Sequence, residues 1–223
     1  MSGGTGGRGS RGASDPGFWE SNYRAGRLPW DLGGPTPVFE RLIASGRYPP
    51  GRLFVPGAGT GHDARLFARH GFQVTAADFA SGAARAMRAL QDPVAPLIIL
   101  QADLFDLPPF LIGLFDYVLE YTCVCAIDPA RRAAYVDVVT GLLRPGGVYL
   151  ALLWPTGARP GGPPYPVEPG ALISLFAARG FTLLERETPP DSIPERRGDE
   201  ELLVLKLTVD SCQQSLTTIN CQL

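Results

Sequence analysis

Histidine is nearly missing from this chain: two of its 223 residues, His62 and His70, carry an imidazole. A reaction run by a histidine base, or a metal held by several histidines, has little to draw on. Cysteine is also sparse, at four residues. Cys123 and Cys125 alternate at the end of an expected strand and point the same way, but C-x-C without nearby histidine is a weak metal pattern, and small buried side chains are the simpler reading. No metal is expected. Cys212 and Cys221 lie in a polar tail, where a disulfide is not expected in a cytosolic protein. Charge of one sign is lacking too: the net charge of -2 gives no global field for nucleic acid or an anionic membrane. No apolar run reaches the length of a membrane span, and the N-terminus shows no apolar secretory core. The expectation is a cytoplasmic monomer whose partner is a small molecule, with no nucleic acid and no membrane.

What is present suits one domain with a full core. Residues 1–17, "MSGGTGGRGSRGASDPG", are rich in glycine and almost free of apolar side chains, so they read as a disordered leader. Residues 18–209 read as the domain, and 210–223 as a polar tail without a period. Within the domain, short apolar runs alternate with helical patterns. Strands are expected at "RLFVPG", "FQVTAAD", "LIILQAD", "FDYVLEY" and "GVYLALLW", and helices at 63–70, 81–90, 129–143 and 169–179. Continuous apolar strands between helices imply a parallel sheet covered on both faces. "FTLLERETPP" and "EELLVLKLTV" then follow with no helix between them, which predicts an antiparallel pair closing a seven-stranded α/β sheet. That arrangement is typical of the class I S-adenosylmethionine-dependent methyltransferase (Rossmann-like) fold.

The stretch "LFVPGAGTGHDARLF" turns on Gly57, Gly59 and Gly61 between an expected strand and a helix. Such a turn lets a ligand approach the backbone at a helix N-terminus. A dinucleotide fingerprint, G-x-G-x-x-G, needs glycine where His62 stands, whereas G-x-G-x-G is the spacing of S-adenosylmethionine binders. Asp78, at the end of the second strand, suits ribose hydroxyls in either class. Asp103 and Leu104 end the third strand, where adenine would lie in such a fold. Asp63 is expected to stabilise the first turn of its helix, His62 to cap that helix or face solvent, and His70 to sit at the favourable helix end.

Longer pieces carry more. "FWESNYRAGRLPWDLGGPTP", "VPGAGTGHD", "FDYVLEYTCVCAIDPARRAAYVDVVTGLLRPGGVYLALLWP", "GGPPYPV" and "SIPERRGDEEL" together resemble the thiopurine methyltransferase-like family, on the side of its plant and bacterial thiol and halide methyltransferases. The resemblance spans roughly residues 18–206. It implies that Trp19, Tyr23 and Trp30 close over the cofactor, that Gly57 and Gly59 line its methionine portion, and that Asp78 holds the ribose. It likewise implies Asp103 and Leu104 at the adenine, Tyr121 beside the sulfonium, Tyr165 as the catalytic-site tyrosine facing the acceptor, and Cys125 at the pocket border. Glu120 stands where relatives usually carry Asp, and its contact, cofactor or acceptor, is left open.

The implied activity is transfer of a methyl group from S-adenosylmethionine to a small soft nucleophile: a thiol, bisulfide or a halide. Such a displacement asks the protein to align the partners and exclude water, and aromatic faces attract a cation while leaving its methyl reactive. A thiopurine or other aromatic thiol is the alternative acceptor. A Rossmann-type NAD oxidoreductase and a cofactor binder without catalysis stay open, as do plainer roles: core anchors for Trp19, Tyr23 and Trp30, and a loop staple for Tyr165. Trp154 is expected to lie apart from the cofactor.

Overall fold

The computed structural model describes residues 16–208. β1 (Arg52–Pro56), β2 (Gln73–Asp78), β3 (Ile98–Gln101), β4 (Phe115–Tyr121) and β5 (Leu143–Leu153) run parallel, while β7 (Glu201–Leu207) pairs antiparallel with both β5 and β6 (Phe181–Glu187). The sheet order is β3-β2-β1-β4-β5-β7-β6. From β1 the chain steps outward through β2 and β3, then returns to place β4 on the other side of β1. The order reverses there, and a crevice opens at the carboxyl ends of the strands.

Strand periodicity divides the core in two. Leu53 and Val55 of β1 face one apolar cluster and Phe54 the other, and in β4 Tyr117 and Leu119 oppose Val118 in the same way. The first cluster is covered by α2 (Pro37–Ala44), α3 (His62–Arg69) and α4 (Ser81–Ala89), through Phe39, Phe67 and Met87. The second is covered by α5 (Arg132–Leu142) and α6 (Pro169–Ala177), through Tyr135, Val139 and Phe176. Each such side chain contributes about 1.5–3 kcal/mol on burial. α1 (Pro16–Ala25) differs: it buries no residue and lies against α4.

Three boundaries depart from expectation. The stretch 129–143 splits into a tight turn, Pro129–Arg131, and then α5, because the Asp128 carboxylate accepts the Ala130 N–H and caps the turn. β5 starts at Leu143, before the expected glycines, since Leu143 already pairs with Phe115 across a bulge. α1 begins at Pro16, inside the stretch read as leader. The rest of that leader, the tail, Cys212 and Cys221 lie outside the described residues. Among the described residues no helix is long and apolar enough to cross a membrane.

Candidate active site

β1 ends at Pro56 and the chain turns on Gly57, Gly59 and Gly61, with φ of 55°, 58° and 79°. Gly57 is required twice over, for the sign of φ and because a Cβ there would stand 2.9 Å from Cys123 Sγ. Asp78, at the end of β2, binds this turn to the next: its Oδ2 accepts the Gly59 N–H at 3.0 Å, and its Oδ1 the Ala80 N–H at 2.9 Å. Burial raises the Asp78 pKa to about 6 against the pull of these donors.

A cavity of about 310 Å³ lies over these strand ends. Gly57 and Asp78 form its floor, and Asp103 and Leu104, after β3, one side. The roof comes from α1 and the segment after it. Trp19 meets Trp30 edge-on at 5.1 Å, Tyr23 meets Trp30 at 5.9 Å, and all three line the cavity. Gly59 lies beneath them, with the Tyr23 hydroxyl 3.5 Å from its Cβ position. The segment after α1 is tied to the glycine turn through Asp31, which accepts the Thr60 hydroxyl at 2.8 Å and meets His62 Nε2 at 3.1 Å. His62 thus joins Asp31 rather than capping its helix. Asp63 accepts both the backbone N–H (2.8 Å) and the hydroxyl (2.9 Å) of Thr36, bridging α3 to the start of α2, and burial raises its pKa to about 6.

Three expected site residues lie off this wall: Gly59, which the Tyr23 and Trp30 side chains cover, and two tyrosines. Tyr121 does not line this cavity; its hydroxyl donates to Glu200 at 2.6 Å and accepts from Arg196. It borders a second cavity of about 60 Å³, which shares Trp30, Gly57 and Thr122 with the first. The Tyr165 side chain is likewise absent from the wall, which Pro163 and Pro164 supply, while the Tyr165 N–H donates to the Cys125 carbonyl at 2.7 Å. Prolines without N–H leave that loop few anchors, and this backbone bond holds it.

Glu120 lines neither cavity. It is fully buried: Oε1 accepts the N–H groups of Cys123 (2.9 Å) and Val124 (2.8 Å), and Oε2 accepts the Tyr135 hydroxyl at 2.5 Å. Tyr149 adds its hydroxyl at 3.1 Å from that of Tyr135. Burial lifts the Glu120 pKa to about 7. The carboxylate braces a turn in which Thr122 has φ of 59°, a left-handed conformation costly for a branched side chain. That turn sets Cys123 and Cys125 in the cavity wall. Burial and the Glu120 charge push Cys125 up to about 12 and raise Cys123 well above its usual value, so both stay thiols at neutral pH.

Sequence reasoning missed several wall residues, Trp154, Arg131 and Phe105 among them. Trp154 lines the cavity, with the nearly buried Arg196 guanidinium 4.1 Å from its ring centre. Its place at the end of an apolar strand read as core. Arg131 and Phe105 form another stretch of wall, the guanidinium 3.7 Å over the ring; no sequence spacing links them.

The strand order, the three left-handed glycines and the acids after β2 and β3 define the class I S-adenosylmethionine-dependent methyltransferase fold. A solved structure of Burkholderia thailandensis 1,6-didemethyltoxoflavin-N1-methyltransferase, with bound 1,6-didemethyltoxoflavin and S-adenosylhomocysteine, superposes with a TM-score of 0.68 at 20% identity, over 87% of each chain. The profile of the family described as "Thiopurine S-methyltransferase (TPMT)" matches residues 14–208, and the chain belongs to that family. It is therefore an S-adenosylmethionine-dependent methyltransferase. A probable thiol methyltransferase 2 of Arabidopsis thaliana is 34% identical over 189 residues, 83% of each chain. A thiocyanate methyltransferase 1 of the same plant is 33% identical over 191 residues, 84% of this chain and 83% of that one. The residues fit the donor: Gly57 brings bare backbone to the cavity, and the Asp78 oxygens keep acceptor capacity beyond their backbone donors.

Proposed function

We propose that this enzyme methylates a small soft nucleophile, a thiol, bisulfide or a halide ion. In this reading Asp78 holds the ribose hydroxyls of the donor, Asp103 and Leu104 take the adenine, and Gly57 and Gly59 flank the methionine portion. Trp19, Tyr23 and Trp30 cover it and exclude water. The donor supplies an electrophilic methyl on a sulfonium centre, and the chain's own task is to align the acceptor.

One observation carries the choice of acceptor: the cavity wall offers no base free to serve it, since Asp78, whose pKa burial raises to about 6, is taken up by the donor's ribose in this reading. The wall holds no histidine, and its three carboxylates, Asp78, Asp103 and Asp128, each accept from backbone N–H groups. Cys123 and Cys125 stay protonated. The acceptor must arrive already anionic, as thiolates, bisulfide and halides do. Arg196 behind Trp154 supplies positive charge on that side, which favours an anion. The relatives named for thiol and thiocyanate methylation support the same class. We place the enzyme in the cytoplasm as a monomer.

Methyl transfer to thiols of graded pKa tests this. Each should reach its rate plateau as its own thiol ionises. An inflection at one pH shared by all acceptors would demand a protein base and overturn the reading. Bisulfide, halides and a thiopurine in the same panel fix the preferred acceptor.

A further inference from the structure

α1 supplies Phe18, Trp19, Asn22 and Tyr23 to the cavity wall, yet none of its residues is buried. What holds it in place is visible at its midpoint. Glu20 Oε2 accepts the Gly82 N–H at 2.8 Å and the Ser81 hydroxyl at 3.0 Å, and Oε1 accepts from the Arg85 guanidinium at 2.9 Å. α4 has no cap of its own, because Ala80 stands at that position. A carboxylate borrowed from another helix satisfies the free N–H, and its charge suits that helix end. These donors, Arg85 first, hold the Glu20 carboxyl below the usual range.

A second, independent contact lies beside the first. A Cβ on Gly82 would stand 2.4 Å from Tyr23 Cβ and 2.6 Å from Cγ, so α1 seats on bare backbone where the residue has no side chain. The same end of α4 follows directly on Asp78, whose Oδ1 holds the Ala80 N–H. Roof and floor of the cavity therefore meet within five residues of chain.

We propose that Glu20 is a positioning residue: its carboxylate clasps α1 to the start of α4 and sets the aromatic roof in register over the donor. The proposal rests on the donor placement given above, since the register matters only if the donor lies under that roof. Glu20 touches neither reactant and acts through Trp19 and Tyr23.

Trypsin reads the clasp directly, because Arg24 and Arg27 are exposed in and just after α1. Cleavage at these two sites, followed by mass spectrometry on the free protein, should accelerate about tenfold in Glu20→Ala and in Gly82→Ala. Glu20→Gln keeps an acceptor for the Gly82 N–H and should fall between them and the parent. The Kd for S-adenosylhomocysteine should rise about tenfold in the two disruptive variants, with KM for the donor rising more than kcat falls. Melting temperature should move by about 2 °C or less, because no core residue is lost. Unchanged cleavage at Arg24 and Arg27 in both variants overturns the clasp, as does acceleration at all arginines alike with a large fall in melting temperature. A parent protein that fails to bind S-adenosylhomocysteine overturns the donor placement instead, while cleavage of the free protein still decides the clasp.

Discussion

Glu120 is a carboxylate with no cation beside it, held by two backbone N–H groups and a tyrosine hydroxyl. Its pKa rises on folding from 4.5 to about 7. Between those values the native state binds a proton that the unfolded chain has released, so stability falls as pH rises through that window and levels off above it. Asp63 and Asp78, raised from 3.8 to about 6, act in the same sense. Denaturant melts from pH 4.5 to 7.5 should therefore show a shallower decline for Glu120→Gln than for the parent, and equal slopes would remove Glu120 as a titrating group. Glu120→Ala should cost about 1–3 kcal/mol for each buried donor left unpaired, and release the turn at Thr122. Strand alternation places Glu120 on the face of Val118, under α5, and Tyr121 on the face of Leu119. A motif comparison puts both in the site, but the pleat sends one into the core and the other toward Arg196 and Glu200.

At the scale of elements, the glycine turn is the most constrained. Gly57→Ala must hold a left-handed conformation, at about 1–2 kcal/mol, and displace Cys123. It should lower both melting temperature and affinity for S-adenosylhomocysteine, measured by calorimetry. Gly34→Ala has open space around the new methyl and should change neither. The turn was legible because only glycine serves there, and β4 was legible at its observed bounds because its apolar residues crowd between Gly113 and Thr122, interrupted only by Asp116 and Glu120. α1 and α2 were not read as helices. α1 buries nothing, so no apolar stripe marks it, and α2 spans only two turns after a run of glycine and proline. Asp78 and Asp103 could be placed from the ends of their strands. The contact of Arg196 with Trp154 could not, since 42 residues separate them and β7 alone brings them together.

At the scale of the molecule, all three tryptophans of the chain, Trp19, Trp30 and Trp154, line one cavity. Titration with S-adenosylhomocysteine should therefore change nearly the whole tryptophan emission, with no constant background from Trp154. Trp154→Phe should remove part of the response, and an undiminished response would place the ligand away from β5. The strand order has a consequence of a different kind. Among the described residues β7 is the final strand yet an interior one in the sheet, and β6 pairs with β7 alone. During synthesis β1 to β5 can associate as they emerge, but β6 has no partner until residues 201–207 leave the ribosome. Until then β5 presents an open edge bearing Tyr149, Leu150, Leu152 and Leu153, a template for pairing with a neighbouring nascent chain. The Glu20 clasp and the contact of Arg196 with Trp154 thus belong to opposite ends of the described residues, and the cavity wall that they back is complete only once β7 has emerged.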